Sequence, residues 1–139
     1  MKKYILLLIT IFDLIAMQTK TFHAENGVAA ELLMRAYSNG TIEIVYVYAK
    51  NQNSNSKKEV NKLFKKALSY KCGQCDECKK KADCIFIFKT FYAKNIFETY
   101  WHYFEQNKFT KTKEGTTSYP DENDDEITIK IANFEKIID

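Results

Sequence analysis

Residues 41–68, TIEIVYVYAKNQNSNSKKEVNKLFKKAL, contain the clearest strand and the clearest helix of the sequence. Thr41 to Ala49 is rich in β-branched and aromatic residues, which predicts a strand. Both faces of this strand are apolar, so we expect an interior strand that is covered on two sides. After the polar loop at 51–56, Ser56 can cap a helix whose apolar residues recur at helical spacing: Val60, Leu63, Phe64, Ala67 and Leu68. This stretch predicts a helix packed on a sheet.

Two further segments of the first two thirds of the chain have a recognisable pattern. Residues 28–38, VAAELLMRAYS, carry apolar side chains at helical spacing after Asn26 and Gly27, which predicts a second amphipathic helix. Residues 84–92 and 96–106 are both β-rich and flank the short segment Ala93-Lys94-Asn95. This arrangement predicts an antiparallel hairpin, with His102 as an ordinary sheet residue. The aromatic density of residues 86–104 would suit a ligand cup or a binding face, but a strand buried on both faces is favoured.

The last third of the chain predicts a loop followed by a strand. Residues 108–126 are polar and contain the only proline, Pro120. Ile127, Ile129 and Ile131 then alternate with less apolar residues, which is typical of a half-buried strand. The sequence therefore predicts a single α+β domain, with a mainly antiparallel sheet of about four strands and two amphipathic helices.

The first residues, MKKYILLLITIFDLIAMQ, have the order of a secretory signal peptide: two lysines, an apolar run and a polar exit. We expect residues 1–18 to be removed, with the cleavage point between 16 and 24, and residues 19–139 to form the domain. The apolar run is shorter than a bilayer span and contains Asp13, so a permanent membrane anchor is the weaker alternative. The predicted location is secreted or extracytoplasmic.

Composition is that of a folded domain. Of the 139 residues, 45% are hydrophobic and 14% aromatic, which is enough for a core and argues against disorder. Charge is distributed unevenly, because residues 50–94 hold 12 lysines against four acids, while residues 95–139 hold five lysines against ten acids. Such asymmetry indicates a surface for an anionic partner, unless folding brings the two halves together.

All four cysteines lie in one turn at 72–84: Cys72, Cys75, Cys78 and Cys84. The stretch CDECKKKADC resembles one half of a fungal zinc-cluster motif, but it has one residue too few before its last cysteine and no second half. CGQC has the form of a redox dithiol, yet it follows a lysine-rich helix instead of a strand. In an oxidising compartment we expect two disulfides that reinforce a helix-to-strand turn, with a pairing that the sequence leaves open. Zinc binding and thiol redox chemistry remain the alternatives.

Other candidate sites are surface features. An anion-binding face is predicted from the lysines of the helix and of the cysteine turn: Lys57, Lys58, Lys62, Lys65, Lys66, Lys79, Lys80 and Lys81. Asn39 heads a glycosylation sequon at a predicted turn. The acidic stretch at 120–126 lacks the glycine and glutamate of a calcium loop, so we expect a solvated loop there.

No group of residues in the sequence has the pattern of a catalytic site or of a phosphate-binding loop. We expect a non-enzymatic binding or interaction protein that acts through its sheet face or its basic helix, without a cofactor or a membrane span. Its expected partner is an unknown protein or an anionic extracellular molecule. Specific nucleic-acid binding is not expected. The alternative is a metal-binding or thiol-redox protein that uses the four cysteines.

Overall fold

The computed structural model describes residues 16–25, 27–37, 39–72 and 86–138. The strands are β1 (Ala16–His23), β2 (Ala30–Tyr37), β3 (Thr41–Ala49), β4 (Lys71–Cys72), β5 (Phe86–Ile87), β6 (Thr90–Phe97), β7 (Thr110–Pro120) and β8 (Glu126–Ile137). The helices are α1 (Ser54–Leu68) and α2 (Trp101–Gln106), and a short 3-10 helix at Glu98–Tyr100 precedes α2. The described residues thus form one α+β domain.

The main sheet has six strands in the order β1-β2-β3-β6-β8-β7, instead of the four that the sequence predicts. Neighbouring strands are antiparallel, except that β3 and β6 run parallel. Helix α1 lies between these two strands in the chain, as expected for a parallel crossover. The remaining strands, β4 and β5, form a separate antiparallel pair.

Helix α1 confirms the clearest helix prediction. Asn53, three residues before the predicted cap, holds its start by accepting a hydrogen bond on Oδ1 from the Ser56 amide at 2.9 Å. The apolar stripe of the helix is buried on the sheet: Val60, Leu63, Phe64 and Ala67. Strand β3 also confirms its prediction, and it is an interior strand between β2 and β6.

The helix predicted at 28–38 is wrong, because most of this segment is strand β2. Leu32, Met34 and Ala36 are fully buried and alternate with more exposed neighbours, so the burial period is two. Alanine, leucine and glutamate favour helices, but pairing with β1 on one side and β3 on the other outweighs that preference.

The hairpin predicted around residues 93–95 is also wrong. Strand β6 continues through Ala93-Lys94-Asn95, and an extra residue there forms a bulge against β8 between Ala93 and Ile96. The following aromatic segment is helical, so Trp101, Tyr103 and Phe104 project from α2 into the core. Lys94 and Asn95 break the apolar run in the sequence, and this break corresponds to a bulge.

The polar loop predicted at 108–126 is mostly strand β7, which forms a hairpin with β8. Asp121 organises the turn, since its carboxylate accepts hydrogen bonds from the amides of Asn123 and Asp125 at 2.8 and 2.9 Å. Strand β8 is present as predicted, but its buried residues are Ala132 and Phe134, on the face opposite the alternating isoleucines.

The core lies between the sheet and the two α-helices, which cover the same face. Phe104 of α2 is at its centre: its ring centroid lies 5.0 Å from Phe64, 5.2 Å from Phe109 and 4.9 Å from Phe134. Since these rings come from α1, α2, β8 and the α2–β7 connection, Phe104 joins the helical layer to the far end of the sheet.

Candidate ligand-binding cleft

The second face of the sheet, here called the open face, is the one that neither α1 nor α2 covers. Tyr46 and Tyr48 of β3 are 37% and 46% exposed on it, and Phe97 of β6 is 45% exposed. The expectation that β3 is covered on two sides is therefore wrong. Exposed aromatic side chains that cluster in this way are typical of a binding surface.

The open face contains a gap between β3 and β6. In these strands only Thr41–Glu43 of β3 pairs with Thr90–Tyr92 of β6, and the ladder ends after these residues. Immediately beyond this point each strand has a bulge, at Val45 on β3 and at 94–95 on β6. Bulges bend strands and increase their twist, so β3 and β6 diverge instead of pairing further.

A cleft of about 500 Å³ fills this gap. Its lining residues come from β2, β3, β6 and the 3-10 helix: Glu31, Val45, Tyr46, Val47, Tyr48, Asn95, Ile96, Phe97 and Tyr100. Four of these nine residues are aromatic, and Glu31 is the charged one. A mostly apolar hollow of this volume with a few polar groups matches the usual form of a small-molecule site.

Glu31 is held at one end of the cleft by two neighbours. Its Oε1 accepts a hydrogen bond from the Tyr46 hydroxyl at 2.7 Å, and its Oε2 lies 3.5 Å from Nδ1 of His23. The hydrogen bond to Glu31 raises the pKa of Tyr46, because it stabilises the neutral phenol. Tyr46 therefore remains a donor that orients the Glu31 carboxylate at neutral pH.

The polypeptide around the cleft is held by further contacts. The backbone amide of Asn95, which has a positive φ of 56°, donates to Oδ1 of Asn133 at 2.9 Å and fixes the β6 bulge. Trp101 donates from Nε1 to the carbonyl of Ile96 at 2.7 Å, and the Tyr100 ring stacks on Tyr103 at 6.3 Å. The wall formed by residues 95–100 is thus tied to both β8 and the core.

A second polar group lies where β3 and β6 are still paired. Glu43 accepts a hydrogen bond from the Tyr37 hydroxyl at 2.9 Å. Burial, with the nearby Glu43 charge, raises the pKa of Tyr92 well above its usual value. Both tyrosines therefore stay protonated at neutral pH, and Tyr37 links β2 to β3 through its hydrogen bond to Glu43.

The predicted cysteine site is only partly within the described residues. Cys72 ends β4 and lies opposite Phe86 of β5, so the β4–β5 ladder joins the two ends of the 73–85 segment. Cys75, Cys78 and Cys84 lie outside the described residues. Within residues 16–25, 27–37, 39–72 and 86–138, no three histidine, cysteine or acidic side chains are grouped as a metal site would require.

The lysines predicted to bind anions are on the exposed face of α1 where they are described: Lys57, Lys58, Lys62, Lys65 and Lys66. Lys62 pairs with the buried Glu59 at 3.1 Å, and Lys66 lies 3.9 Å from Glu25. Two carboxylates therefore interrupt the positive surface. Lys79, Lys80 and Lys81 lie outside the described residues.

Two other residues named from the sequence have different surroundings. Asn39 is exposed in the β2–β3 turn, where its Oδ1 accepts a hydrogen bond from the Thr41 amide at 3.1 Å. His102 is in α2, with its ring 3.9 Å from that of Tyr103. Burial lowers the pKa of His102, and the charge of Lys57 lowers it further, so the neutral imidazole is favoured.

The cleft was not identified from the sequence, because the aromatic density of residues 86–104, which includes Phe97 and Tyr100, favours a core over a ligand cup. Tyr46, Tyr48 and Phe97 have the same local pattern as buried strand residues, and Glu31 falls in a segment that predicts a helix. A further signal was the polar break at residues 94–95 in an otherwise apolar run. It marks one of the two bulges that open the cleft.

The fold and the cleft define a class: an α+β domain with helices on one face of a mixed sheet and an aromatic cleft on the other. Comparison with protein-family models, curated proteins and solved structures found no match for this chain. None of the helices that the structure describes has the length and apolar character needed to cross a bilayer.

Proposed function

We propose that this chain is a secreted, non-enzymatic binding protein, and that its ligand is a small molecule with an apolar body that occupies the cleft between β3 and β6. The observation that carries the proposal is the cleft itself: about 500 Å³, bordered by four aromatic side chains, on the sheet face that α1 and α2 leave uncovered. The volume falls in the range of about 300–1,000 Å³ that is usual for small-molecule sites.

The basic face of α1 is the other surface to which the sequence assigns binding. It suits this role less well than the cleft, because Lys62 and Lys66 are paired with carboxylates. The hollow beside these lysines is also smaller, at about 280 Å³, and it includes Glu25 and Glu59 in its lining. An anionic partner would meet these two acids, whereas an apolar ligand in the cleft displaces water from aromatic surface.

The binding proposal is tested with a neutral fluorescent probe, N-phenyl-1-naphthylamine, whose emission rises in apolar surroundings. We expect saturable binding to the domain. Tyr48→Ala is expected to weaken the binding about tenfold, because an aromatic side chain contributes roughly 1.5 kcal/mol or more when its surface is buried. Tyr119→Ala is the matched control, since Tyr119 is 44% exposed, close to the 46% of Tyr48, but lies on β7 outside the cleft.

Trp101 gives an independent readout. It is the only tryptophan of the chain, and its indole donates to the carbonyl of Ile96, which lines the cleft. Ligand binding should therefore shift Trp101 emission with the same midpoint as the probe signal. Equal loss of probe affinity in the Tyr48 and Tyr119 variants, or no saturable binding at all, would contradict the proposal.

Secretion and the disulfides are tested together on the exported chain. The proposal is supported by the signal-like leader and by four cysteines within 13 residues. We expect the intact mass of the exported product to lack its leader and to be lower by four hydrogens than the reduced form, with no alkylation of the four cysteines. Four free thiols would reject the disulfides. Retained zinc mass under native conditions would instead support a metal site at these residues.

A further inference from the structure

We propose that the cleft recognises a positively charged organic group, an ammonium attached to an apolar body, with Glu31 as the counter-ion and the aromatic rings as its walls. This inference rests on the proposed function, because it assigns a ligand class to the same cleft. The experiment below distinguishes a cleft that binds no ligand from a cleft that binds ligands without a preference for positive charge.

The charge of the cleft supports a cationic ligand. Glu31 is the charged residue among those that line it, and no lysine or arginine of the described ranges is in the lining. An anionic ligand would face the Glu31 carboxylate with no lysine or arginine in the lining to compensate its charge. A cation would gain an ion pair, which is strengthened by the low polarity of the surrounding walls.

The position of Glu31 leaves it accessible to a ligand. Its side chain is 32% exposed, and it also lines a neighbouring hollow of about 280 Å³ together with His23 and Tyr48. One oxygen accepts the hydrogen bond from Tyr46 and the other lies 3.5 Å from Nδ1 of His23, but a carboxylate offers about four acceptor positions in all. The carboxylate is therefore oriented by Tyr46 and retains acceptor capacity for a ligand.

The aromatic lining fits the same chemistry. Tyr46, Tyr48, Phe97 and Tyr100 border the cleft, and π faces attract ammonium groups, most strongly where water is excluded. Aromatic rings combined with a carboxylate recognise alkylated ammonium ions, because the rings offer the methyl groups an apolar surface and both provide a negative potential. A strongly hydrated metal ion would not be favoured by this lining.

The test compares choline with 3,3-dimethylbutan-1-ol, which has the same shape but carries a carbon in place of the charged nitrogen. Both compete with N-phenyl-1-naphthylamine on the folded domain. We expect choline to bind about tenfold more tightly than the neutral alcohol, from cation–π and ion-pair contributions of roughly the magnitude known for partly exposed sites. The preference should decrease as salt is raised, because Glu31 is partly exposed.

Glu31→Gln should reduce the preference for choline over the alcohol, measured as a ratio of affinities on the same variant, to about twofold or less, since the side chain keeps its shape but loses its charge. Glu43→Gln is the matched control, because Glu43 is also a carboxylate on the open face that accepts a tyrosine hydrogen bond, but it does not line the cleft. Thermal unfolding of both variants checks that each is folded.

Each outcome is decisive. Equal affinity for choline and the alcohol, with the probe still bound, would overturn the cationic ligand and leave the binding proposal standing. A choline preference that survives Glu31→Gln, or that is lost equally in Glu43→Gln, would overturn the role of Glu31. Absence of probe binding would overturn the proposed function and this inference together.

Discussion

Phe104→Ala is expected to lower the free energy of unfolding by about 3–5 kcal/mol, the range found for truncating buried phenylalanines. Phe104 is fully buried, and its ring contacts Phe64, Phe109 and Phe134. Alanine would leave a cavity at the junction of both helices and β8, which the surrounding rings can fill only in part. Urea unfolding followed by circular dichroism measures the change.

Phe97→Ala is the control for this prediction. It removes the same atoms from a residue that is 45% exposed on the open face, so its expected effect on stability is below about 1 kcal/mol. The same variant should weaken probe binding, because Phe97 lines the cleft. If the two substitutions destabilised the domain equally, the described core would be incorrect.

Removal of strand β1 has the second large expected effect. A chain that begins at Glu25 should be less stable by about 3 kcal/mol or more than one that begins at Thr19, an amount comparable to the loss of one buried phenylalanine. Thr19–His23 pairs with Glu31–Arg35 of β2, and Phe22 packs against the core. Without β1, strand β2 becomes an unprotected edge of the sheet, although it carries the fully buried Leu32 and Met34.

This prediction also bears on the proposed cleavage of a leader. Cleavage near residue 18 keeps the paired segment Thr19–His23, whereas cleavage after Ala24 removes all of β1. We therefore expect the mature chain to begin at or before Thr19, which N-terminal sequencing of the exported protein can check. A stable mature form that begins after Ala24 would show that β1 is dispensable and would contradict the stability prediction.

The local chemistry of the chain accounts for the elements that were predicted correctly. Helix α1 has a polar cap, an apolar stripe and lysines on the remaining face, and the stripe residues Val60, Leu63, Phe64 and Ala67 are the ones that the sheet buries. Strand β3 is dense in β-branched and aromatic residues. Where local preference and tertiary pairing disagree, as at Ala30–Tyr37, pairing on both sides decided the structure.

Polar strands were harder to predict for a related reason. Strand β7 is exposed along nearly its whole length, so it has no apolar period to detect. It is a strand because its backbone pairs with β8 over ten register positions and its turn is closed by Asp121. In β8 the isoleucine alternation indicated the wrong face, since the helices and the aromatic core lie on the side of Ala132 and Phe134.

The sequence by itself determined the α+β class, helix α1, the interior position of β3 and the strand at the C-terminal end, because these depend on apolar periodicity and capping within one segment. Tertiary structure alone decided the cleft. It forms where the β3–β6 ladder ends and two bulges bend the strands apart, bringing Glu31, Tyr46, Tyr48 and Phe97 from three strands together. Register between distant strands sets that arrangement, and no local pattern encodes it.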